Sequence, residues 1–123
     1  MSRVMVIDDN TAMLVPIREF LQMRDHELIT AIDGKEALQT LESLAEDARP
    51  HIFCVDYNMP NMDGYEFLQA IKKDPAYSIY KNLPVIGIGD FPKDKREYLV
   101  RFHPKPFRIA ELADSIDAYC RHS

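Results

Sequence analysis

Short apolar runs alternate with longer segments of helical periodicity along most of the chain. Each apolar run is only a few residues long and is bounded by turn-forming or charged residues, as is typical of buried strands. We predict strands at residues 3–7, 26–31, 52–55, 85–88 and 101–103. The segments between them repeat apolar residues every three or four positions, which indicates helices at 11–24, 35–47, 65–73 and 109–119 and a shorter helix at 93–100.

This alternation of strands and helices predicts one α/β domain, residues 1–123, in which helices cover both faces of a five-stranded parallel sheet. Right-handed crossovers leave few topologies, and we expect the flavodoxin-like strand order 2-1-3-4-5. In such a sheet, ligands bind beyond the carboxyl ends of the strands, where the strand order reverses. The first and third strands flank this reversal.

Three carboxylates follow those two strands: Asp8 and Asp9 come after the first, and Asp56 comes after the third. Each Asp alone has an ordinary explanation as a helix cap, a solvated group or a turn residue. Together they would repel one another, so that at least one pKa must rise unless a cation joins them. Mg²⁺ prefers such oxygen ligands, and Lys105, after the last strand, adds a positive charge suited to a phosphoryl oxygen. The sequence therefore predicts a divalent-metal and phosphoryl site.

Composition and charge narrow the possible functions. The chain has 123 residues, 46% hydrophobic content and a net charge of −5. We expect a globular protein without direct nucleic-acid contact, because binding phosphate backbones requires clustered Lys and Arg. No apolar stretch approaches membrane-spanning length. We expect no signal peptide, because the first predicted strand begins at residue 3. Cys54 and Cys120 make no disulfide framework and predict inert, reduced thiols, which favours a cytoplasmic location.

The motifs of this chain occur in the same order as those of a known family. From Val4 to about Tyr119 the chain resembles the receiver domain of two-component response regulators. The resemblance is carried by Asp8-Asp9, by Asp56 with Met59-Pro60 and Met62-Asp63-Gly64, by Pro84-Val85-Ile86 and by Lys105-Pro106-Phe107. The combination is specific, whereas any one of these motifs would be a weak signal.

The resemblance implies a function in phosphorylation signalling. Asp56 would accept a phosphoryl group from a histidine kinase or a histidine phosphotransfer protein, and Lys105 would hold a phosphoryl oxygen. A magnesium ion would bind Asp9, Asp56 and the backbone carbonyl of Asn58, with Asp8 reached through water. Such a domain is a phosphoryl acceptor rather than a turnover enzyme, and it would signal to a downstream protein through protein contacts.

Two departures from the family lie at the fourth strand and just beyond it. Gly89 stands where the family has a Ser or Thr whose hydroxyl binds the phosphoryl group, and Asp90 stands at the next, usually small, position. We expect a backbone amide of Gly89 or Asp90 to replace one lost hydrogen bond, and Asp90 either to repel a phosphoryl group or to pair with Lys105. The connection to Phe102, at the family's aromatic switch position, has room only for a short helix or none.

These departures leave a second interpretation open: a pseudo-receiver that acts as a protein-interaction module independently of phosphorylation. The retained Asp8, Asp9, Asp56 and Lys105 favour phosphorylation instead. A third interpretation, a magnesium-dependent phosphatase of the haloacid dehalogenase type, rests on the Asp8-Asp9 pair after a strand. That motif requires a second Asp where this chain has Asn10, and it gives Asp56 no role, so it is disfavoured.

Overall fold

The structure, a computed structural model, describes residues 2–120. Its strands are Arg3–Ile7 (β1), Glu27–Ala31 (β2), Ile52–Asp56 (β3), Val85–Ile88 (β4) and Arg101–His103 (β5). Its α-helices are Thr11–Met23 (α1), Gly34–Ser43 (α2), Gly64–Lys73 (α3) and Ile109–Tyr119 (α4). Short 3-10 turns lie at Glu46–Ala48, Pro75–Tyr80 and Lys93–Lys95.

The five strands form one parallel sheet in the order β2-β1-β3-β4-β5, which confirms the predicted topology. Alternate residues of each strand point to opposite faces, and each face carries its own buried cluster. Met5 and Phe53 pack with α2 and α3 on one face, whereas Val6 and Ile86 pack with α1 and α4 on the other. Because every strand runs the same way, their carboxyl ends meet at one edge of the sheet.

Two helices are shorter than the sequence predicts. The second was expected to run to residue 47, but α2 ends at Ser43 and Leu44 takes an extended conformation with φ −76° and ψ 134°. Leu44 packs partly against the core in this conformation, and the exposed Glu46 and Asp47 that follow offer no apolar face to continue the helix.

The connection from β4 to β5 contains one 3-10 turn, Lys93–Lys95, in place of the predicted helix at 93–100. Phe91, on one side of this turn, is 1% exposed, and Leu99, on the other side, packs against the same core. The connection follows an extended path, which lets the side chains of Phe91 and Leu99 both reach the sheet. The residues between them therefore form no continuous helix. The sequence left room in the β4–β5 connection only for a short helix or none, and the structure has a single 3-10 turn there.

Cys54 and Cys120 are both buried, as expected, and neither is in a disulfide within residues 2–120. Burial raises the pKa of both thiols, which keeps them protonated and unreactive at neutral pH. Within residues 2–120, no helix combines the length and the apolar character needed to cross a bilayer.

Candidate functional site

The three predicted carboxylates converge at the carboxyl ends of β1 and β3. Oxygen atoms of Asp8, Asp9 and Asp56 all lie within 4.8 Å of one another. Asp8 is fully buried and Asp56 is 4% exposed, whereas Asp9 is open to solvent. The convergence follows from the register in which Ile7, the last residue of β1, pairs with Val55 of β3. The predicted grouping of these residues is therefore found in the structure.

Lys105 places its ammonium group between the two buried carboxylates. Its Nζ lies 3.1 Å from Asp8 Oδ2 and 3.3 Å from Asp56 Oδ2. Burial raises the pKa of Asp56, and the Asp8 charge raises it further against the opposing charge of Lys105, to about 6. Burial lowers the pKa of Lys105, but its contacts with Asp8 and Asp56 outweigh burial and the net shift is upward. The positive charge of Lys105 therefore does not fully compensate the negative charge of the carboxylates around it.

This charge distribution fits a divalent cation. Asp8 Oδ2 is buried and accepts no hydrogen bond, although the Lys105 ammonium is near. Such an oxygen is a costly group unless a further positive partner is present. Carboxylate oxygens held this close together are the ligands that Mg²⁺ prefers. Asn58 lies exposed in the loop after β3, and the role of its carbonyl as a ligand stays a prediction.

The loop after Asp56 has a conformation that requires a glycine. The Tyr57 N–H donates to Asp56 Oδ1 at 2.8 Å, and the Tyr57 carbonyl accepts from the Gly64 N–H at 2.9 Å. A Cβ on Gly64 would overlap the carbonyl oxygen of Asp56. Helix α3 then begins with a capping box in which Asp63 and Glu66 each accept a backbone N–H of the other. Together these contacts fix how the chain leaves the site.

Two of the alternatives expected at the end of β4 are wrong: the use of the Gly89 amide in place of the hydroxyl and the pairing of Asp90 with Lys105. The use of the Asp90 amide and the repulsion of a phosphoryl group by Asp90 stay predictions. The Gly89 N–H donates to the carbonyl oxygen of His103 at 3.0 Å, so this amide is already used and does not replace the missing hydroxyl. The sheet register causes this, because Ile88 pairs with His103 of β5. Asp90 is exposed and does not pair with Lys105, whose partners are Asp8 and Asp56.

Phe102 lies on β5, half-buried against the core, with the Arg96 guanidinium 4.2 Å from its ring centre. This contact restrains an aromatic side chain at the position that the family uses as a switch.

The sequence reasoning missed Lys95, whose Nζ lies 3.4 Å from the Tyr57 hydroxyl and over the ring of Tyr65. No local motif predicts this contact, because it depends on the path of the β4–β5 connection.

The sequence reasoning also missed Asp33 and Asn61. Asn61 donates a 3.0 Å hydrogen bond from its amide to Asp33, which connects the loop after β3 with the start of α2. From the sequence, the Asp33-Gly34 dipeptide predicts only a turn. The available signal in the sequence was Asn61 itself, because Asn in a loop beside Pro60 is a frequent carrier of the left-handed conformation, which it adopts here with φ 68°.

Comparisons with known proteins agree with this geometry. The family model of the response regulator receiver domain matches residues 4–117. Protein PilG of Pseudomonas aeruginosa is 34% identical over an alignment that covers 95% of this chain and 86% of PilG. Transcriptional regulatory protein PrrA of Mycobacterium leprae is 32% identical, and the alignment covers 97% of this chain but only 50% of PrrA.

A solved structure gives the same result for the fold. The chemotaxis response regulator CheY4 of Vibrio cholerae superposes with a TM-score of 0.81 at 26% identity, over 97% of this chain and 98% of CheY4. The sheet order, the carboxylate cluster and these similarities have one common explanation. The chain belongs to the family of response regulator receiver domains.

Proposed function

We propose that the chain is a receiver that accepts a phosphoryl group on Asp56 in a magnesium-dependent reaction. The arrangement of Asp56 with Asp8, Asp9 and Lys105 is the observation that supports this most strongly. Two buried carboxylates beside one ammonium group destabilise the folded protein. Groups with perturbed pKa values and specific charged partners at the end of a sheet are typical of functional sites.

In the proposed reaction, a carboxylate oxygen of Asp56 forms a bond to the phosphorus atom of a phosphohistidine. The bond between phosphorus and the imidazole nitrogen of the donor breaks, and that nitrogen keeps the electron pair. The product on this chain is an acyl phosphate. With a pKa of about 6, Asp56 is largely ionised at neutral pH and ready to attack. Lys105, with its Nζ 3.3 Å from Asp56 Oδ2, is placed to hold a phosphoryl oxygen.

Asp8, Asp9, Asp56 and the carbonyl of Asn58 would hold the metal ion. When bound, Mg²⁺ supplies positive charge that offsets the charge of the carboxylates and of the transferred group. The upstream partner in this proposal is a histidine kinase or a histidine phosphotransfer protein, and a downstream protein reads the modified state. Because the phosphoryl group stays on the chain, the protein is an acceptor and not a turnover enzyme. We place this exchange in the cytoplasm.

Intact-mass spectrometry after incubation with Mg²⁺ and acetyl phosphate tests this function. We expect one phosphate adduct on the wild-type chain and none on Asp56→Asn. Asp90→Asn is a matched control, because it changes an exposed carboxylate beside the same sheet edge and should keep the adduct. An adduct that persists in Asp56→Asn would contradict the assignment of the acceptor. Failure of the wild type with acetyl phosphate and with phosphorylated kinases would contradict the function.

A second candidate function, a phosphorylation-independent interaction module, is favoured by Gly89 and by the single turn in the β4–β5 connection. In the family, the Ser or Thr at the position of Gly89 and the helix in the β4–β5 connection transmit the effect of phosphorylation to a partner. This chain differs from the family at both. The two candidates are separated by one binding measurement once a partner is known. Equal affinity of that partner for the unmodified and the phosphorylated chain supports the interaction module, whereas a clear difference supports the receiver.

A further inference from the structure

The loop that follows Asp56, residues 57–63, has two contacts with the first turn of α2. Asn61 Nδ2 donates to Asp33 Oδ2 at 3.0 Å. Asp33 is 6% exposed, and its other oxygen accepts the Glu36 N–H at 2.8 Å, which caps α2. Beside this bond, Met62 packs over Gly34 so closely that a Cβ at position 34 would lie 2.8 Å from Met62 Cγ. The loop is therefore held by a buried polar group and by a tight apolar contact.

The backbone conformation of Asn61 has a free-energy cost that other contacts must offset. Its φ is 68°, in the left-handed region that residues other than glycine seldom adopt. Asparagine tolerates this region better than most residues, but the conformation still costs free energy. The hydrogen bond to the Asp33 carboxylate is charge-assisted and thus among the stronger side-chain bonds. Asn61 is therefore restrained at the backbone and at the side chain.

The same loop sets the orientation of the site. The Tyr57 N–H orients the Asp56 carboxylate by donating to Oδ1, and the Tyr57 carbonyl is bonded to the Gly64 N–H at the far end of the loop. Asn58, whose carbonyl is a proposed magnesium ligand, lies in the segment that the bond between Tyr57 and Gly64 closes. A change in the position of Asn61 would therefore move both the carboxylate and the carbonyl.

We propose that Asn61 is a positioning residue for the phosphorylation site and that Asp33 holds it in place from α2. This inference rests on the proposed function, because the site that is positioned is the magnesium site of that function. The Asn61–Asp33 hydrogen bond keeps residues 57–63 in the conformation that binds the metal. Without the bond the loop samples other conformations, and part of the binding free energy is spent on ordering it.

Substitutions at the two positions separate the side-chain bond from the backbone conformation. Asn61→Gly keeps the left-handed backbone accessible and removes the bond. Asn61→Asp keeps the shape but places two carboxylates face to face. The exchange variant Asp33→Asn/Asn61→Asp restores a donor and an acceptor, and an oxygen at position 33 still caps α2. Asn82→Gly is the matched control, because Asn82 is an exposed turn residue at the opposite edge of the sheet.

Calorimetric titration of each chain, residues 1–123, with MgCl₂ is the first measurement. We expect Asn61→Gly and Asn61→Asp to bind Mg²⁺ about three- to tenfold more weakly, as the loss of one hydrogen bond predicts. The exchange variant and Asn82→Gly should bind within about twofold of the wild type. The second measurement is amide hydrogen exchange of the metal-free chains, in which the Gly64 N–H should exchange about three- to tenfold faster in Asn61→Gly.

Recovery of affinity in the exchange variant supports a positioning role, since a general loss of stability would not be reversed by it. Unchanged exchange at Gly64 in Asn61→Gly overturns the inference, because the loop would not depend on Asn61. Faster exchange with unchanged Mg²⁺ affinity also overturns it, because the loop would then not position the site. If the wild type binds no Mg²⁺ and takes no phosphate, the proposed function fails. Hydrogen exchange at Gly64 then decides the role of Asn61 alone.

Discussion

Gly89 faces the Asp56 carboxylate so closely that a Cβ at position 89 would overlap Asp56 Oδ1. The backbone at Gly89 has φ +86°, and its N–H is bonded to His103 across the β4–β5 pair. Glycine is therefore required by the conformation of the strand end and by the space that the carboxylate occupies. The replacement of the family's Ser or Thr by glycine is therefore tied to the backbone conformation at this position and is not a change of side chain alone.

Gly89→Ser is accordingly expected to destabilise the protein instead of restoring the family's hydroxyl. The left-handed conformation alone costs a residue with a Cβ about 1–2 kcal/mol, and the overlap with Asp56 adds to that cost. We expect the free energy of unfolding in urea to fall by at least about 2 kcal/mol. Asp90→Ser, at the next and exposed position, should change it by less than about 0.5 kcal/mol. A Gly89→Ser chain as stable as the wild type would contradict this account.

Gly87 and Leu99 show how the short β4–β5 connection covers the sheet. A Cβ on Gly87 would overlap Leu99 Cδ1 and would lie 3.2 Å from the Phe91 ring. Gly87→Ala should therefore lower the free energy of unfolding by about 1–3 kcal/mol, because the connection must shift. Leu99→Ala makes room for the added methyl group, so the double variant should lose less than the sum of the two single losses. A double-mutant cycle in urea measures this, and strictly additive losses would exclude the contact.

The parts of the fold that the sequence predicts depend on short-range patterns. The predicted bounds of β4, β5 and α4 agree with those in the structure. Pro84 precedes β4, Pro104 follows β5, and α4 begins directly after Arg108, so that each element has a boundary that can be recognised in the sequence. The convergence of Asp8, Asp9 and Asp56 was also predictable, because carboxyl ends of parallel strands share one edge. Helical periodicity was a poor guide to where α2 ends, since it does not show that Leu44 packs against the core in an extended conformation.

The parts that the sequence does not predict depend on contacts between distant segments. The Gly89 amide was one of the two amides expected to replace the missing hydroxyl, but its partner, His103, is brought to it by the register of β5. The bond between Asn61 and Asp33 likewise joins two loops whose distance is set by the packing of α2 beside α3. In neither case does the local sequence identify the partner, because the two residues meet only in the assembled fold.

Asp117 connects α4 to the start of β2 and gives the stability a defined pH dependence. Its Oδ1 lies 2.6 Å from His26 Nε2, and its Oδ2 accepts from Arg24 at 2.8 Å. Burial raises the pKa of Asp117, but these hydrogen bonds outweigh burial and the net shift is downward. A carboxyl whose pKa is depressed by folding contributes stability above its unfolded pKa, and this contribution is lost as the pH falls through the folded pKa.

Asp117→Asn should therefore lower the free energy of unfolding at pH 7 by about 0.5–1 kcal/mol, a figure that allows for the solvent exposure of the pair. The difference from the wild type should shrink towards acid pH, where Asp117 itself is protonated. Thermal unfolding over a pH series measures this, and Asp114→Asn, with a side chain that is 70% exposed, is the matched control with a smaller effect. A difference that stays constant with pH would show that the substitution acts through packing.

Asp56 should show the opposite pH dependence. Its pKa is raised to about 6 by burial and by the charge of Asp8, so the folded chain binds this proton more tightly than the unfolded chain. Stability in the absence of metal therefore falls as the pH rises from the unfolded pKa of Asp56 to the folded one. Above that range the full cost of the buried charge is present. Asp56→Asn, which is neutral at every pH, removes this cost.

In EDTA at pH 8 we expect Asp56→Asn to be more stable than the wild type by about 1–3 kcal/mol, with the difference disappearing near pH 4. Saturating Mg²⁺ should reduce the difference at pH 8, because it stabilises the folded wild type more than the variant that lacks one ligand. Urea unfolding at pH 4, 6 and 8, with EDTA or Mg²⁺, gives the necessary free energies. Equal stability of the two chains at pH 8 in EDTA would mean that Lys105 already compensates the Asp56 charge. The buried carboxylate would then give no reason to expect a cation at this site.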